Sequence, residues 1–376
     1  LHTVHAPDGE GALSAETPVR ARLAYDELLA NQLALQIIRA KMKNRPGRSI
    51  KGDGRLTSQV MQSLPFELTG SQRMALAEIA ADMAEPSTML RLLQGDVGSG
   101  KTIVALFAML EAVECGGQAA LMAPTEILAR QHMATIEPLV TALGLKVAVL
   151  TGRGKAKARR EILADLESGE IDIIIGTHAL FQETVQLQDL MVAVIDEQHR
   201  FGVHQRLNLA AKGKGVDVLV MTATPIPRTL LLTAYGDLET SQLREKPAGR
   251  KPINTRTVPL ERLSEVVDAL DRHLSNGAKA YWVCPLVEES ENIDLAAAEE
   301  RYAHLKARFG DQIAVVHGRM KAAEKDEAMK RFTDGDARVL VATTVIEVGV
   351  DVPDATVMII EHAERFGLAQ LHQLRG

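Results

Sequence analysis

Apolar positions along this chain alternate between short continuous runs and stretches of helical spacing, and that alternation sets the fold class. Runs apolar on both faces stand at Met89–Gln94, Ala119–Ala123, Lys146–Leu150, Ile171–Gly176, Met191–Ile195 and Val216–Met221. Between most of them lie stretches with helical spacing, such as Ile103–Leu110, Glu126–Leu143 and Ala156–Leu166. Strands apolar on both faces and joined by helices predict a parallel sheet covered on each side. Residues 244–252, REKPAGRKP, interrupt the pattern with charge, proline and glycine and mark a domain boundary. Beyond it the alternation restarts. Strands are predicted at Ile253–Val258, Ala278–Cys284, Ile313–Val316, Val339–Thr343 and Val357–Ile360, with helices from Glu261, near Ala296–Arg308 and near Ala322–Phe332. Two α/β lobes are therefore expected, over residues 61–248 and 249–376.

The first 60 residues read differently. Residues 1–17 are polar and without period, as in a linker. From Pro18 to Asn44, Leu23, Leu28, Leu29, Leu33, Ile37 and Ile38 follow a long helical pattern. Thr17 is its candidate N-cap and Pro18 its first helical residue. Arg45-Pro46-Gly47 ends it, residues 46–64 are rich in glycine and polar side chains, and a second helix is predicted over Gly70–Met83.

Composition narrows this picture. A length of 376 residues fits two or three domains. Hydrophobic residues make up 46% and aromatics only 3%, so the cores must be aliphatic. The net charge of -6 excludes a globally basic surface, and any polyanion-binding face must be local. Cys115 and Cys284 form neither a zinc module nor a disulfide framework, and both are expected to be buried thiols. No signal peptide and no apolar run of about 18 residues occurs, which predicts a soluble, cytoplasmic protein. The chain opens on Leu1 and closes within an apparent uncapped helix, Gln370–Gly376, so it is expected to be a segment of a longer one.

The chemistry concentrates at predicted strand ends. Gly95–Thr102 reads GDVGSGKT, which fits the phosphate-loop pattern G-x-x-x-x-G-K-[ST] between a strand and a helix. Gly95, Gly98, Ser99 and Gly100 would let backbone N–H groups converge on phosphate oxygens. Lys101 would reach the β- and γ-phosphates, Thr102 would ligate Mg²⁺, and the helix N-terminus adds a positive end. The second lobe has no such loop. Asp196 and Glu197 follow the run Met191–Ile195, where open α/β sheets bind ligands. Asp196 there can hold Mg²⁺ and Glu197 can polarise the attacking water. Thr222 and Thr224 follow the next strand and suit a relay from the nucleotide to another part of the molecule. Gln72, on the first turn of the Gly70–Met83 helix, offers the donor and acceptor that an adenine edge requires. Taken alone it reads more readily as an exposed helix glutamine.

GDVGSGKT, APTEILARQH (123–132), GTHALF (176–181), DEQHRFGV (196–203), TATPIPR (222–228), VHGRM (316–320) and VATTVIEVGVDVP (341–353) occur in the order found in superfamily 2 helicases. The chain resembles that superfamily over about residues 18–376, and within it the bacterial helicases that remodel branched DNA. The resemblance implies two RecA-like parallel-sheet lobes of the P-loop NTPase type, preceded by a helical linker. It implies ATP and Mg²⁺ as cofactors and an ATP-dependent DNA helicase acting as a monomer on branched double-stranded DNA without sequence preference. Under it Gln72 is the adenine-reading glutamine, Lys101, Asp196 and Glu197 are catalytic, and Gly349 and Asp351 of the second lobe meet the nucleotide. DNA phosphates would be held at Thr125, Arg130, Thr177, His178, His317, Gly318, Thr343 and Thr344. A basic cluster, Arg153, Lys155, Lys157, Arg159 and Arg160, reads equally as a DNA contact or a solvated face.

The resemblance also implies arginines past Gln373-Leu-Arg-Gly376 that reach the γ-phosphate. Without such a finger, hydrolysis is expected to fall ~10³–10⁵-fold, so the chain by itself is expected to bind ATP but hydrolyse it slowly. Transcription-repair coupling translocases are the nearest alternative, but they show DEEQRFG where this chain has DEQHRFG. Replication-restart helicases would carry zinc cysteines, and RNA helicases of the DEAD class would show DEAD and SAT. From another class, a non-catalytic, nucleotide-gated binding module is the competing reading.

Overall fold

The computed structural model describes residues 17–43, 46–152, 156–196, 212–224, 238–247, 253–285, 291–343, 352 and 354–375. These form two compact units, divided along the chain chiefly between Glu245 and Lys246, with Asp96–Gly98 and Thr125–Ala134 grouped with the second.

The first unit is built on a seven-stranded sheet. Its strands are β1 (Leu90–Gly95), β2 (Gln118–Met122), β3 (Val147–Leu150), β4 (Ile173–Gly176), β5 (Leu190–Ile195), β6 (Asp217–Thr222) and β7 (Glu239–Leu243). They lie in the order β3-β4-β2-β5-β6-β1-β7, and every pairing is parallel. Six of these runs are the predicted ones, within two residues at their ends. β7 was not legible: its sequence, ETSQL, is polar because it lies at the sheet edge beside β1. Buried Leu, Val, Ile and Ala from β2, β5 and β6 fill the core, each worth about 1.5–3 kcal/mol for the larger side chains.

Four helices precede or follow β1. α1 spans Pro18–Lys43, α2 Arg55–Ser63, α3 Gly70–Ala84 and α4 Lys101–Glu114. α1 begins where proline predicts, with the Ala21 N–H donating to the Thr17 carbonyl at 2.9 Å. α2 lies within a stretch that reads as loop in the sequence. Its two buried residues, Leu56 and Val60, are one turn apart, too few to stand out as a period. Its N-cap, Gly54, has no side chain to cap with. Glu114, at the end of α4, does this instead: its carboxylate accepts the N–H groups of Gly54 (2.9 Å), Thr57 (3.2 Å) and Leu56.

Polar groups at the amino ends of the strands are tied down locally. Arg48 donates to Asp189 at 2.6 Å and to the Leu190 carbonyl at 3.1 Å. Gln118 donates to the Leu166 and Ile171 carbonyls (3.1 and 2.7 Å) and accepts from the Asp189 N–H. Asp217 is fully buried and accepts the Met89 N–H at 2.7 Å through one oxygen, while its other oxygen has no partner. Burial pushes its carboxyl up to about 7.

The second unit carries a four-stranded parallel sheet, β11-β8-β10-β9, of β8 (Lys279–Cys284), β9 (Ile313–Val316), β10 (Val339–Thr343) and β11 (Ala355–Ile360). The helices are α7 (Leu263–Ser275), α8 (Glu291–Phe309) and α9 (Ala322–Asp334), after α5 (Glu126–Thr141) and α6 (Ala156–Ser168) earlier in the chain; α10 (Leu368–Arg375) follows β11. Its core is not purely aliphatic. Trp282 on one face and Phe332 on the other are wholly buried. The indole N–H of Trp282 donates to Glu361 at 2.9 Å, and Arg301 pairs with the same carboxylate.

Two expectations are corrected. Ile253–Val258 pairs with no strand among the described residues, and its side chains are exposed; β-branched residues make a strand only where a neighbour supplies the ladder. Cys115 is exposed, because α4 ends at Glu114 and the cysteine falls in the turn before Gly116-Gly117. Cys284 is buried as expected, and burial pushes its thiol up to about 12. Among the described residues no helix is long and apolar enough to cross a membrane.

Candidate functional site

In a parallel sheet every strand delivers its carboxyl end to the same edge, and the predicted chemistry follows those ends. β1 leads through Gly95 into the phosphate loop and α4, whose first residues are Lys101 and Thr102. Asp196 follows β5, its N–H bonded to the Met122 carbonyl at 2.8 Å and its side chain buried. Thr222 closes β6, and its hydroxyl accepts the Thr224 N–H at 3.1 Å. Thr177 follows β4 and Thr125 follows β2; both are buried, and the Thr125 hydroxyl accepts the Leu128 N–H at 3.3 Å.

The loop has the backbone its glycines imply. Gly98 and Gly100 lie at φ 72° and 86°, in the left-handed region. A Cβ on Gly100 would come within 2.3 Å of Gln72 Nε2. Lys101 Nζ donates to the Gly95 carbonyl at 2.7 Å, folding the side chain over its own loop. Ser99 Oγ is buried without a partner. A cradle with no room for side chains, a lysine over it and an orphaned hydroxyl fit an oxyanion-rich ligand such as a triphosphate.

Gln72 is not the exposed helix residue that its sequence position allows. It is buried, its Oε1 accepts the Thr69 N–H, and its Nε2 donates to the Ser99 carbonyl, both at 2.8 Å. It therefore completes the cap of α3 and braces the phosphate loop with one side chain. Beside this turn Met61, Leu64, Pro65, Phe66, Glu67, Leu68 and Arg73 line a depression. Phe66 is partly exposed there, and Arg73 is held by two hydrogen bonds to the Leu68 carbonyl. Phe66 and Arg73 went unremarked in the sequence. The signal was their place on either side of Gln72's turn.

In the second unit His317 follows β9 and Thr343 closes β10. His317 Nδ1 and Thr343 Oγ1 are buried without partners. Burial holds the His317 imidazole below its usual pKa, against a weaker pull from Glu299, so it offers a neutral donor or acceptor at neutral pH. The Gly318 carbonyl accepts from Lys325 at 3.1 Å. Arg130 pairs with Glu126 at 2.8 Å on an exposed helix face, and His178 is exposed. Of the basic cluster, Arg159 is committed to the Thr151 carbonyl and Gln182, and Lys157 lies 3.9 Å from Glu161. Glu197, Thr344, Gly349, Asp351, Arg153 and Lys155 lie outside the described residues. Among the described residues no cluster of three or more His, Cys, Asp or Glu side chains could hold a metal ion by itself. A magnesium ion held by one or two protein oxygens plus phosphates needs no such cluster.

Residues 69–232 match the model of the DEAD/DEAH box helicases, and residues 261–376 match that of the helicase conserved C-terminal domain. The ATP-dependent DNA helicase RecG of Escherichia coli (strain K12) is 47% identical, covering 100% of this chain and 56% of that protein. RecG of Acidithiobacillus ferridurans is 50% identical, covering 96% of this chain and 53% of that protein. The chain thus spans about half the length of the curated relatives it matches. A structure of RecG bound to a three-way DNA junction superimposes with a TM-score of 0.79 at 46% identity, over 95% of this chain and 47% of that one. The DEAD-box helicase Mss116, at 16% identity and a TM-score of 0.67, shares the fold, over 86% of this chain and 70% of that one.

Proposed function

Because the chain belongs to the RecG helicase family, with two RecA-like lobes, we propose that it is the ATP-driven motor of a helicase that remodels branched DNA. The observation that carries this reading is the phosphate loop after β1, with its left-handed glycines, overlying lysine and unpartnered Ser99 hydroxyl. In this reading Lys101 leaves the Gly95 carbonyl for the β- and γ-phosphates of ATP. Gln72 reads the adenine, and the depression beside it, with Phe66 and Arg73, suits the flat base. Thr102 and Asp196 hold Mg²⁺, which supplies charge neutralisation on the phosphate oxygens. Glu197, Gly349 and Asp351 enter the reading through the family resemblance alone.

DNA contacts follow the same logic. Thr125, Thr177 and His178, and on the second sheet His317, Gly318 and Thr343, are small groups, hydroxyls or imidazoles that follow strand ends; Arg130 adds a cation on an exposed helix face, and Thr344 enters through the family resemblance alone. Such groups approach phosphates closely without reading bases. The chain is poor in aromatics, so base stacking contributes little and binding is sequence-independent. Support for a branched substrate comes from the junction bound by the structural neighbour.

The test is ATP turnover on matched DNA substrates. Hydrolysis is expected to rise more with a three-way junction than with a linear duplex of the same length and sequence. Affinity for either should fall steeply with salt. Turnover indifferent to DNA, or binding indifferent to salt, would overturn the reading.

A further inference from the structure

Two lines of hydrogen bonds run from the nucleotide loop to the last residues of the first unit. The first starts at Gln94, just before the loop. Its Nε2 donates to the Thr224 carbonyl at 3.0 Å, and its Oε1 accepts from Gln242 Nε2 at 3.1 Å. Gln94 and Gln242 are register partners in the β1–β7 ladder, so the two amides meet side by side. Gln242 Oε1 then accepts two bonds from Arg244, at 2.8 and 3.1 Å. The second line starts at Gln72, whose Nε2 holds the Ser99 carbonyl. Immediately before it, the Gly70 and Ser71 N–H groups donate to the Glu245 carboxylate at 2.9 and 3.2 Å, and the Glu245 N–H lies 3.4 Å from Ser71 Oγ. A carboxylate suits these free amides of the first helical turn.

Both lines end within Gln242–Glu245, and the next residue, Lys246, begins the main stretch of the second unit. We propose that Gln242, Arg244 and Glu245 are positioning residues that carry the state of the nucleotide loop into the chain joining the two units. The inference rests on the nucleotide site proposed above and deepens it. Ligand entering the loop competes for Gln72 and shifts Lys101, and either change alters what Gln94 and the first turn of α3 offer the β7 exit. None of the three residues belongs to the nucleotide site itself, so they act on communication rather than on affinity. Linked amides also polarise one another, which favours a chain that rearranges as a unit.

The experiment pairs a binding titration with amide hydrogen exchange over residues 239–247, with and without a non-hydrolysable ATP analogue. In the unaltered protein the analogue is expected to change exchange across 244–247 by about fivefold. Gln242→Leu should keep analogue affinity within about twofold while abolishing most of that change, since it preserves volume and removes only the amide. Glu245→Gln, a milder change on the second line, should reduce it partially. If Gln242→Leu fails to fold, Gln242→Glu, which keeps the acceptor but loses the donor to Gln94, gives the same reading. Analogue binding without any exchange response, or a response undiminished in both variants, overturns this inference and leaves the nucleotide site standing. Absence of analogue binding in the unaltered protein overturns both.

Discussion

The two edges of the seven-stranded sheet use polar residues in opposite ways. At the amino ends, Arg48, Asp189 and Gln118 bond fixed neighbours in the fold, with Arg48 Nε left buried and unpartnered. At the carboxyl ends, Ser99 Oγ is buried and unpartnered, and the loop around it has no room for side chains. The first arrangement holds strands and connections together. The second leaves capacity for something that is not protein. Burying a polar group without a partner costs about 1–3 kcal/mol, a cost that a ligand bound at the carboxyl edge would relieve. Asp217 also leaves an oxygen unpartnered at the amino edge, and its raised pKa is how that edge accommodates it: a protonated carboxyl carries no charge to solvate.

This contrast can be broken by substitution. The largest effect belongs to the carboxyl edge. Lys101→Ala should lower ATP turnover by about 10²–10³-fold. It should shift the unfolding free energy by less than about 0.5 kcal/mol, since the side chain folds back onto the Gly95 carbonyl of its own loop. Loss of stability in step with activity, read by denaturant melts, would erase the distinction.

Asp217→Asn sharpens it from the other side. Its folded pKa of about 7 lies above the ordinary 3.8, so the folded chain keeps a proton that the unfolded chain has released. That contribution is complete below about pH 4 and is lost as pH rises through 7, on the order of 4 kcal/mol in all. The asparagine variant should lack this decline while nucleotide affinity stays unchanged. Melting temperatures from pH 5 to 8, with parallel slopes in the two proteins, would refute it.

Arg48→Ala should have the smallest effect. It removes an ion pair and a carbonyl contact that are about one-third exposed, costing about 1–2 kcal/mol of stability. ATP turnover measured well below the melting point should match that of the unaltered chain.

Most of the fold was legible because buried parallel strands carry continuous apolar runs. β7 was missed because it is a polar edge strand held by its ladder with β1 rather than by a hydrophobic face. Ile253–Val258 is rich in β-branched residues but has no strand partner among the described residues. The phosphate loop was legible from spacing alone, since glycine, lysine and threonine there answer to one ligand. Gln72 was not, because its burial depends on a carbonyl 27 positions away in the chain. The same holds for the β7 exit, whose bonds span 148 and 175 positions.

Glu114 has a consequence for cutting and grafting this chain. The start of α2 is satisfied by a carboxylate 57 to 60 positions downstream, while Gly54 supplies none. A peptide spanning residues 46–68 would keep every residue of that helix and still lose its beginning. Transplanted to another scaffold, the segment would need a serine or aspartate in place of Gly54, or a carboxylate brought across from the host. Conversely, a substitution at position 114 would be felt first as fraying in a helix that does not contain it.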